Sequence, residues 1–214
     1  MRPRPDRLER LPPQYFASLL RRVAAAAAEG GPRVLDLGRG NPEVGPPPHV
    51  VEALREAAAR PDVHGYAPFR GLPRMREAIA GRYRDVYGVE LDPEREVAIV
   101  PGTKTALVEL PLALAQRGET ILLPDPGYPD YPSGVALAGA DLGLLPLDPA
   151  AGWAPDFDTA PPAAAAFLNY PSNPCAACAA PGTFAAAVEW AGRTGGAIVS
   201  DAAYVDLVYD GREP

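Results

Sequence analysis

The sequence predicts an α/β domain built on a largely parallel sheet flanked by helices. Two observations carry that expectation. From Val97 onward, short β-type runs alternate with amphipathic helical segments, as in parallel strands joined by crossover helices. The polar residues with the clearest chemical potential then fall at the ends of those runs: Gly102-Thr103-Lys104, Asp125 to Tyr128, Asn169 to Asn173 and Asp201 to Tyr204. Open α/β sheets bind ligands at the carboxyl ends of their strands.

In chain order, residues 1–13 are rich in Pro and Arg and read as an arm. Tyr15 to Glu29 reads as a helix, stopped by Gly30-Gly31-Pro32. Val34 to Leu37 is a short strand or extended piece, and the Gly- and Pro-rich stretch from Gly38 to Pro48 is loop. Val50, Val51, Leu54 and Ala57 recur at helical spacing within His49 to Arg60. A turn-rich stretch, Gly65 to Gly71, leads into a second amphipathic helix, Leu72 to Tyr87. Strand Val97 to Val100, helix Thr103 to Gln116, strand Thr120 to Leu123 and helix Tyr128 to Ala138 follow. Asp141 to Leu147 and Ala163 to Leu168 read as strands, the latter weakened by its alanines; Thr183 to Arg193 reads as a helix and Ala197 to Ser200 as a strand. The expected division is an N-terminal arm and helix over 1–47 and an α/β domain over 48–214.

Composition narrows the function. With 47% hydrophobic residues in 214, the chain can bury a sizeable core. A net charge of −7 argues against a nucleic-acid or anionic-membrane surface. The longest alanine run, Ala24 to Ala28, is far too short to span a bilayer. The basic N-terminus lacks a following apolar segment, so the cytoplasm is the expected compartment. Two cysteines, Cys175 and Cys178, cannot make a disulfide scaffold at this size; their spacing fits a redox pair, but they sit in an expected loop. His49 and His64 are isolated, and no metal site is expected.

Asp201 is the most informative residue. A carboxylate closing a buried strand needs a partner. A protonated pyridine nitrogen would be one, and the pairing keeps the ring cationic; the plain alternative is a turn cap. With the Asn169-to-Pro174 segment upstream and Tyr204 downstream, the pattern points to a pyridoxal-phosphate (PLP) site. Gly102-Thr103-Lys104 would offer backbone N–H groups, a hydroxyl and a charge to a phosphate, or else be an ordinary capped turn. It is neither a Walker A loop nor a G-x-G-x-x-G loop. Tyr128 could stack on a planar ring or simply pack in its turn. Asn173 could donate to a phenolate oxygen or start an Asn-Pro turn. Tyr66 reads as a loop aromatic and Gly40 as a turn glycine.

These residues sit in ordered blocks: LPPQYF, LDLGRGNP, GYAPFRGLPRMREAI, GTKTALVELPLAL, LLPDPGYPDY, FLNYPSNP and SDAAYVDLVYDG. As a set they resemble the fold-type I, class I/II PLP-dependent aminotransferases from Leu11 to Pro214, and within them the LL-diaminopimelate aminotransferase branch. The resemblance implies a PLP-dependent transferase-like large domain, incomplete at its C-terminal part and without the small domain. It implies that Thr103 and Lys104 bind the phosphate, Tyr128 stacks on the ring, Asn173 and Tyr204 bind the ring hydroxyl oxygen, and Asp201 binds the ring nitrogen. Tyr66 would reach the phosphate of a second subunit, implying a homodimer, and Gly40 would lie beside the substrate carboxylate.

The chain departs from the family pattern in three places. Cys175-Ala176 replaces the usual Thr-Gly, which could reshape the turn because Ala tolerates positive φ poorly. Gln14 stands where relatives often have Tyr. The family's Schiff-base lysine lies beyond the Asp–Tyr pair, whereas the only lysine here is Lys104, so no catalytic residue is assigned within the chain. The expected function is transfer of an amino group from an amino acid to a 2-oxo acid, represented by an N-terminal portion inactive alone. The alternatives are a non-catalytic fragment that binds PLP or phosphate, and PLP lyase chemistry on the same scaffold.

Overall fold

The computed structural model describes residues 5–38, 40 and 44–209. Contacts group the chain into two units: Met1–Ser18 with Thr103–Pro214, and Leu19–Gly102. Residues 48 to 102 thus share a unit with most of the expected N-terminal segment.

The first unit carries the sheet. Its strands are β1 (Thr120–Asp125), β2 (Asp141–Asp148), β3 (Ala154–Pro155), β4 (Ala165–Asn169) and β5 (Ala197–Asp201), in the order β3-β2-β1-β4-β5. All pairs are parallel except the two-residue β3 against β2, a hairpin-like return the sequence did not announce. The register of β4 and β5 runs from Ala165↔Ala197 to Asn169↔Asp201, which sets two polar residues side by side at the C-terminal ends.

Alternation along the strands builds a core on each face. Ile121, Leu123, Phe167 and Val199 face one way, with Leu107 of α5 (Thr103–Leu114) and Tyr131 and Val135 of α6 (Tyr131–Ala138). Leu122, Ala166 and Leu168 face the other, with Ala187 and Trp190 of α7 (Thr183–Thr194). The alanines of β4 are accommodated by Trp190, which is fully buried, donates its indole N–H to the Pro161 carbonyl at 3.2 Å and fills the space beside them. Gly196 makes that possible, because a Cβ there would sit 2.5 Å from the Trp190 ring.

Helices α5 and α6 cross closely. Pro111 lies inside α5 and lacks the N–H that would bond the Leu107 carbonyl. At that carbonyl α6 presents Gly134, whose Cβ would lie 2.9 Å from the Leu107 oxygen. Helix α6 starts at Tyr131 rather than Tyr128, because Pro129 disfavours helical backbone at the residue before it. The described part of the expected arm is ordered: α1 (Asp6–Glu9) precedes Arg10, whose guanidinium donates to the Ala140 carbonyl at 2.7 Å and the Asp141 carboxylate at 3.0 Å.

The second unit is helical, with α3 (Pro48–Ala59), α4 (Pro73–Tyr87) and most of α2 (Tyr15–Ala28). Arg76 of α4 is its buried polar hub, donating to the Pro93 and Gly71 carbonyls at 2.9 and 2.7 Å and pairing with Glu94. The expected strand 97–100 is absent from the described residues, and 34–37, expected as a short strand or extended piece, forms no strand there. A strand exists only through a ladder partner, and neither segment has one; Leu35 and Leu37 are exposed, and the Ile99 N–H goes instead to the Arg70 carbonyl in a loop. Among the described residues no helix is long and apolar enough to cross a membrane.

The α5–α6 crossing yields a direct test. Gly134→Val should cost about 1–3 kcal/mol through overpacking against the α5 backbone. Urea unfolding should show the loss, while Gly192→Ala, where nothing lies within 4 Å of the Cβ position, should not.

Candidate functional site

The parallel register of β4 and β5 supplies one wall of the site. Asp201 is 8% exposed, and a carboxylate so placed needs partners. The Tyr131 hydroxyl donates to its Oδ2 at 2.7 Å, and the Ala203 N–H reaches Oδ1 at 3.3 Å, so the expected ligand group also caps its own turn. The Asn169 side chain joins two segments: its amide donates to the Asp201 carbonyl at 2.9 Å, and its oxygen accepts the Asn173 N–H at 2.7 Å. Asn173 Nδ2 in turn donates to the Tyr204 hydroxyl oxygen at 3.3 Å. Burial, then the hydrogen bond and charge of Asp201, push the Tyr131 phenol far above its ordinary pKa, so it stays a donor.

The opposite wall comes from the loop entering α5 and the segment entering α6. Gly102 has φ +90°, a conformation that favours glycine, and Thr103 and Lys104 form the first turn of α5. The Lys104 ammonium, on a side chain 60% exposed, pairs with the carboxylate of Asp130, which is 5% exposed. The Tyr128 ring meets Tyr131 edge-on at 5.5 Å, and burial followed by the Asp130 charge raises its phenol pKa.

The walls flank a half-open cavity of about 150 Å³, lined by Thr103, Lys104, Tyr128, Asn173, Asp201 and Tyr204 among others. These are six of the residues expected from sequence. Gly40 and Tyr66 are not among its lining; both belong to the second unit and are exposed. Among the described residues nothing lies within 4 Å of a Cβ at Gly40. A second cleft, of about 170 Å³, runs behind Tyr128 and Tyr131 among prolines and leucines; its one charged residue, Asp125, gives an anion nothing to bind.

The donor set of the first cavity suits a planar molecule that is anionic at one end and cationic in its ring. An ammonium and a helix N-terminus supply the anion site, Asp201 the cation partner, and the Asn173–Tyr204 pair the donors for an oxygen between them.

Two residues that support the site were not expected from the sequence, Tyr131 and Asp130, and Asn169 was expected only as part of a strand-end segment. Tyr131 and Asp130 lie inside a motif block, within three positions of Tyr128. In the turn after Asn173, Ala176 takes φ +54°, its N–H bonds the Ser172 carbonyl at 2.8 Å, and the Ser172 N–H bonds the Ala177 carbonyl at 2.8 Å. Cys175 and Cys178 are free and half-buried, and among the described residues no cluster of metal-ligating side chains occurs.

Comparison with known proteins agrees with this geometry. Residues 32–214 match the family model described as aminotransferase class I and II. The chain is 44% identical over 212 residues to the L-glutamine–4-(methylsulfanyl)-2-oxobutanoate aminotransferase of Bacillus subtilis, covering 97% of this chain and 53% of that protein. It is 38% identical over 213 residues to the LL-diaminopimelate aminotransferase of Desulforudis audaxviator, covering 97% and 54%. Substrate-bound BacF from Bacillus subtilis superposes with a TM-score of 0.89 at 38% identity, covering all of this chain and 55% of that one. The chain spans about half the length of the curated relatives it matches.

Two outcomes follow from these contacts. Ala176→Gly relieves a left-handed alanine and should stabilise the chain by about 1 kcal/mol, measured by urea unfolding. The raised Tyr131 phenol contributes stability that is present below its ordinary pKa of 10.0 and is lost as pH rises through the higher folded value. Tyr131→Phe should therefore lower stability at neutral pH and make its decline above pH 10 shallower by about one proton's worth, read from unfolding midpoints against pH.

Proposed function

The chain belongs to the class I and II aminotransferases, and from that premise we propose that its protein is a PLP-dependent enzyme moving an amino group from an amino acid to a 2-oxo acid. The observation that carries this reading is the network through Asp201, Asn169, Asn173 and Tyr204, facing Lys104 and the start of α5 across one cavity. When bound, the cofactor supplies an electron-withdrawing ring that acidifies the Cα proton of an attached amino acid.

The residues present divide the work of holding that group. Asp201, oriented by Tyr131, presents a carboxylate to a protonated ring nitrogen. Asn173 and Tyr204 serve the ring oxygen, and Tyr128 offers an aromatic face. Thr103 and Lys104 hold the phosphate, where charge-assisted hydrogen bonds are strong. Lys104 is tied to Asp130 and is not proposed as the group that moves the Cα proton. Gly40 is proposed beside the substrate carboxylate, and Tyr66 as a phosphate ligand lent to a second copy, which makes the protein a homodimer. Residues 48–214 are proposed as the PLP-binding large domain. The relatives' own names, a glutamine and a diaminopimelate aminotransferase among them, favour a free amino acid as donor and a small 2-oxo acid as acceptor. The net charge of −7 gives no affinity for nucleic acid.

Titrating the 214-residue chain with PLP and, separately, with inorganic phosphate tests this. Asp201→Asn should weaken PLP binding roughly ten- to a hundredfold, the ~1.5–3 kcal/mol of a hydrogen bond to a charged group, and leave phosphate binding unchanged. Lys104→Gln should weaken both. The chain alone should show no half-reaction with L-glutamate or L-glutamine. PLP binding indifferent to Asp201 would sink the proposal.

A further inference from the structure

One buried charge, outside the cavity lining but paired with the lining residue Lys104, is not explained by cofactor binding. Asp130 occupies the N-cap of α6, where Asp is favoured because its side chain bonds the first free N–H groups of the helix. It makes no such bond; its carboxylate is turned away from its own helix and toward Lys104. Its Oδ2 is fully buried, and the Lys104 ammonium is the charge that answers it. Forgoing a cap costs about 1 kcal/mol, and an exposed lysine does not need a buried partner to remain soluble. The arrangement therefore acts on Lys104.

The chemistry shows what it would do there. Resting on the reading above, the cavity receives an aldehyde-bearing cofactor, and Lys104 is the only lysine in the chain. An aldehyde condenses with an unprotonated amine, which uses its lone pair to form a C=N bond with loss of water. Nucleophilic lysines are made by lowering the ammonium pKa through desolvation or a neighbouring cation. Lys104 is given the reverse environment: an anion beside it and most of its side chain in water.

We propose that Asp130 is a positioning residue for Lys104, holding it as a fixed cation at the phosphate end of the cavity and thereby withholding the chain's one side-chain amine from condensation with the cofactor's aldehyde. The titratable groups around Lys104 agree. The Asp130 hydrogen bond is the largest influence and raises its pKa against the opposing pull of burial; Tyr128 adds in the same direction. Asp201 and Tyr204 line the same cavity and bring no cation that would oppose them.

Acylation of Lys104 by acetic anhydride, followed by peptide mass spectrometry across pH, is the test, because only the free amine reacts and the chain has no other lysine. The apparent pKa of Lys104 in the native wild-type chain should exceed that in the same chain unfolded in urea. Asp130→Asn should raise the native acylation rate at pH 8 by roughly three- to tenfold, a tenfold rise corresponding to each unit the pKa falls. It should also speed borohydride-trapped labelling of Lys104 by pyridoxal. Equal native and unfolded values, or an unchanged rate in the variant, would overturn the proposal, and the first comparison needs no variant to fold. Protection of wild-type Lys104 by inorganic phosphate separately tests the cofactor reading, so a missing protection would count against that reading and not against the role of Asp130.

Discussion

The carboxylate of Asp201 ends β5 inside the protein, and the hydroxyl of Tyr131 reaches it at 2.7 Å from the first residue of α6. Much of the first unit is arranged around that contact. A buried anion costs several kcal/mol unless it is answered, so α6 must begin where its tyrosine can donate. Beginning there, α6 must lie tight against α5, which Gly134 permits and any larger residue would oppose. That crossing brings the start of α5, with Thr103 and Lys104, to the same cavity as the strand ends.

Asp201 in the cavity lining and Asp130, paired with Lys104, are answered in different ways, and the difference organises the site. Asp201 meets a neutral phenol and a backbone N–H, which orient it without cancelling its charge. Asp130 meets an ammonium, and that pair orients a cation. One end of the cavity is thereby left anionic and the other cationic. Asn169 rigidifies the anionic end by linking the Asp201 carbonyl to the Asn173 N–H, so the carboxylate and the donors beside it share one frame. A ligand meeting them pays little to organise them.

The helices were readable from apolar spacing and from glycine and proline stops; α2, α3, α4, α5 and α7 lie where the pattern put them. The four parallel strands were readable too, and the strand-end rule led to six residues that line the cavity. The failures share a cause. The segment 97–100 has strand-like residues, yet among the described residues no neighbour supplies a ladder. Tyr131 was passed over, and Asn169 was noted only as part of a strand end, because their bonds reach partners 70 and 32 positions away. Ala176 takes the left-handed form despite its steric cost, with hydrogen bonds at 2.8 Å from its own N–H and from that of Ser172.

By itself the sequence determined what depends on neighbours along the chain: where helices start and stop, which face of each strand is apolar, and which polar residues close the strands. Those choices follow from side-chain volume and backbone torsion within a few residues. Only the tertiary structure decided which strand lies beside which, that Asn169 stands next to Asp201, and that Lys104 faces Asp130. These depend on packing two cores against one sheet and on finding partners for charges that the packing buries, and no local pattern encodes a partner so far away.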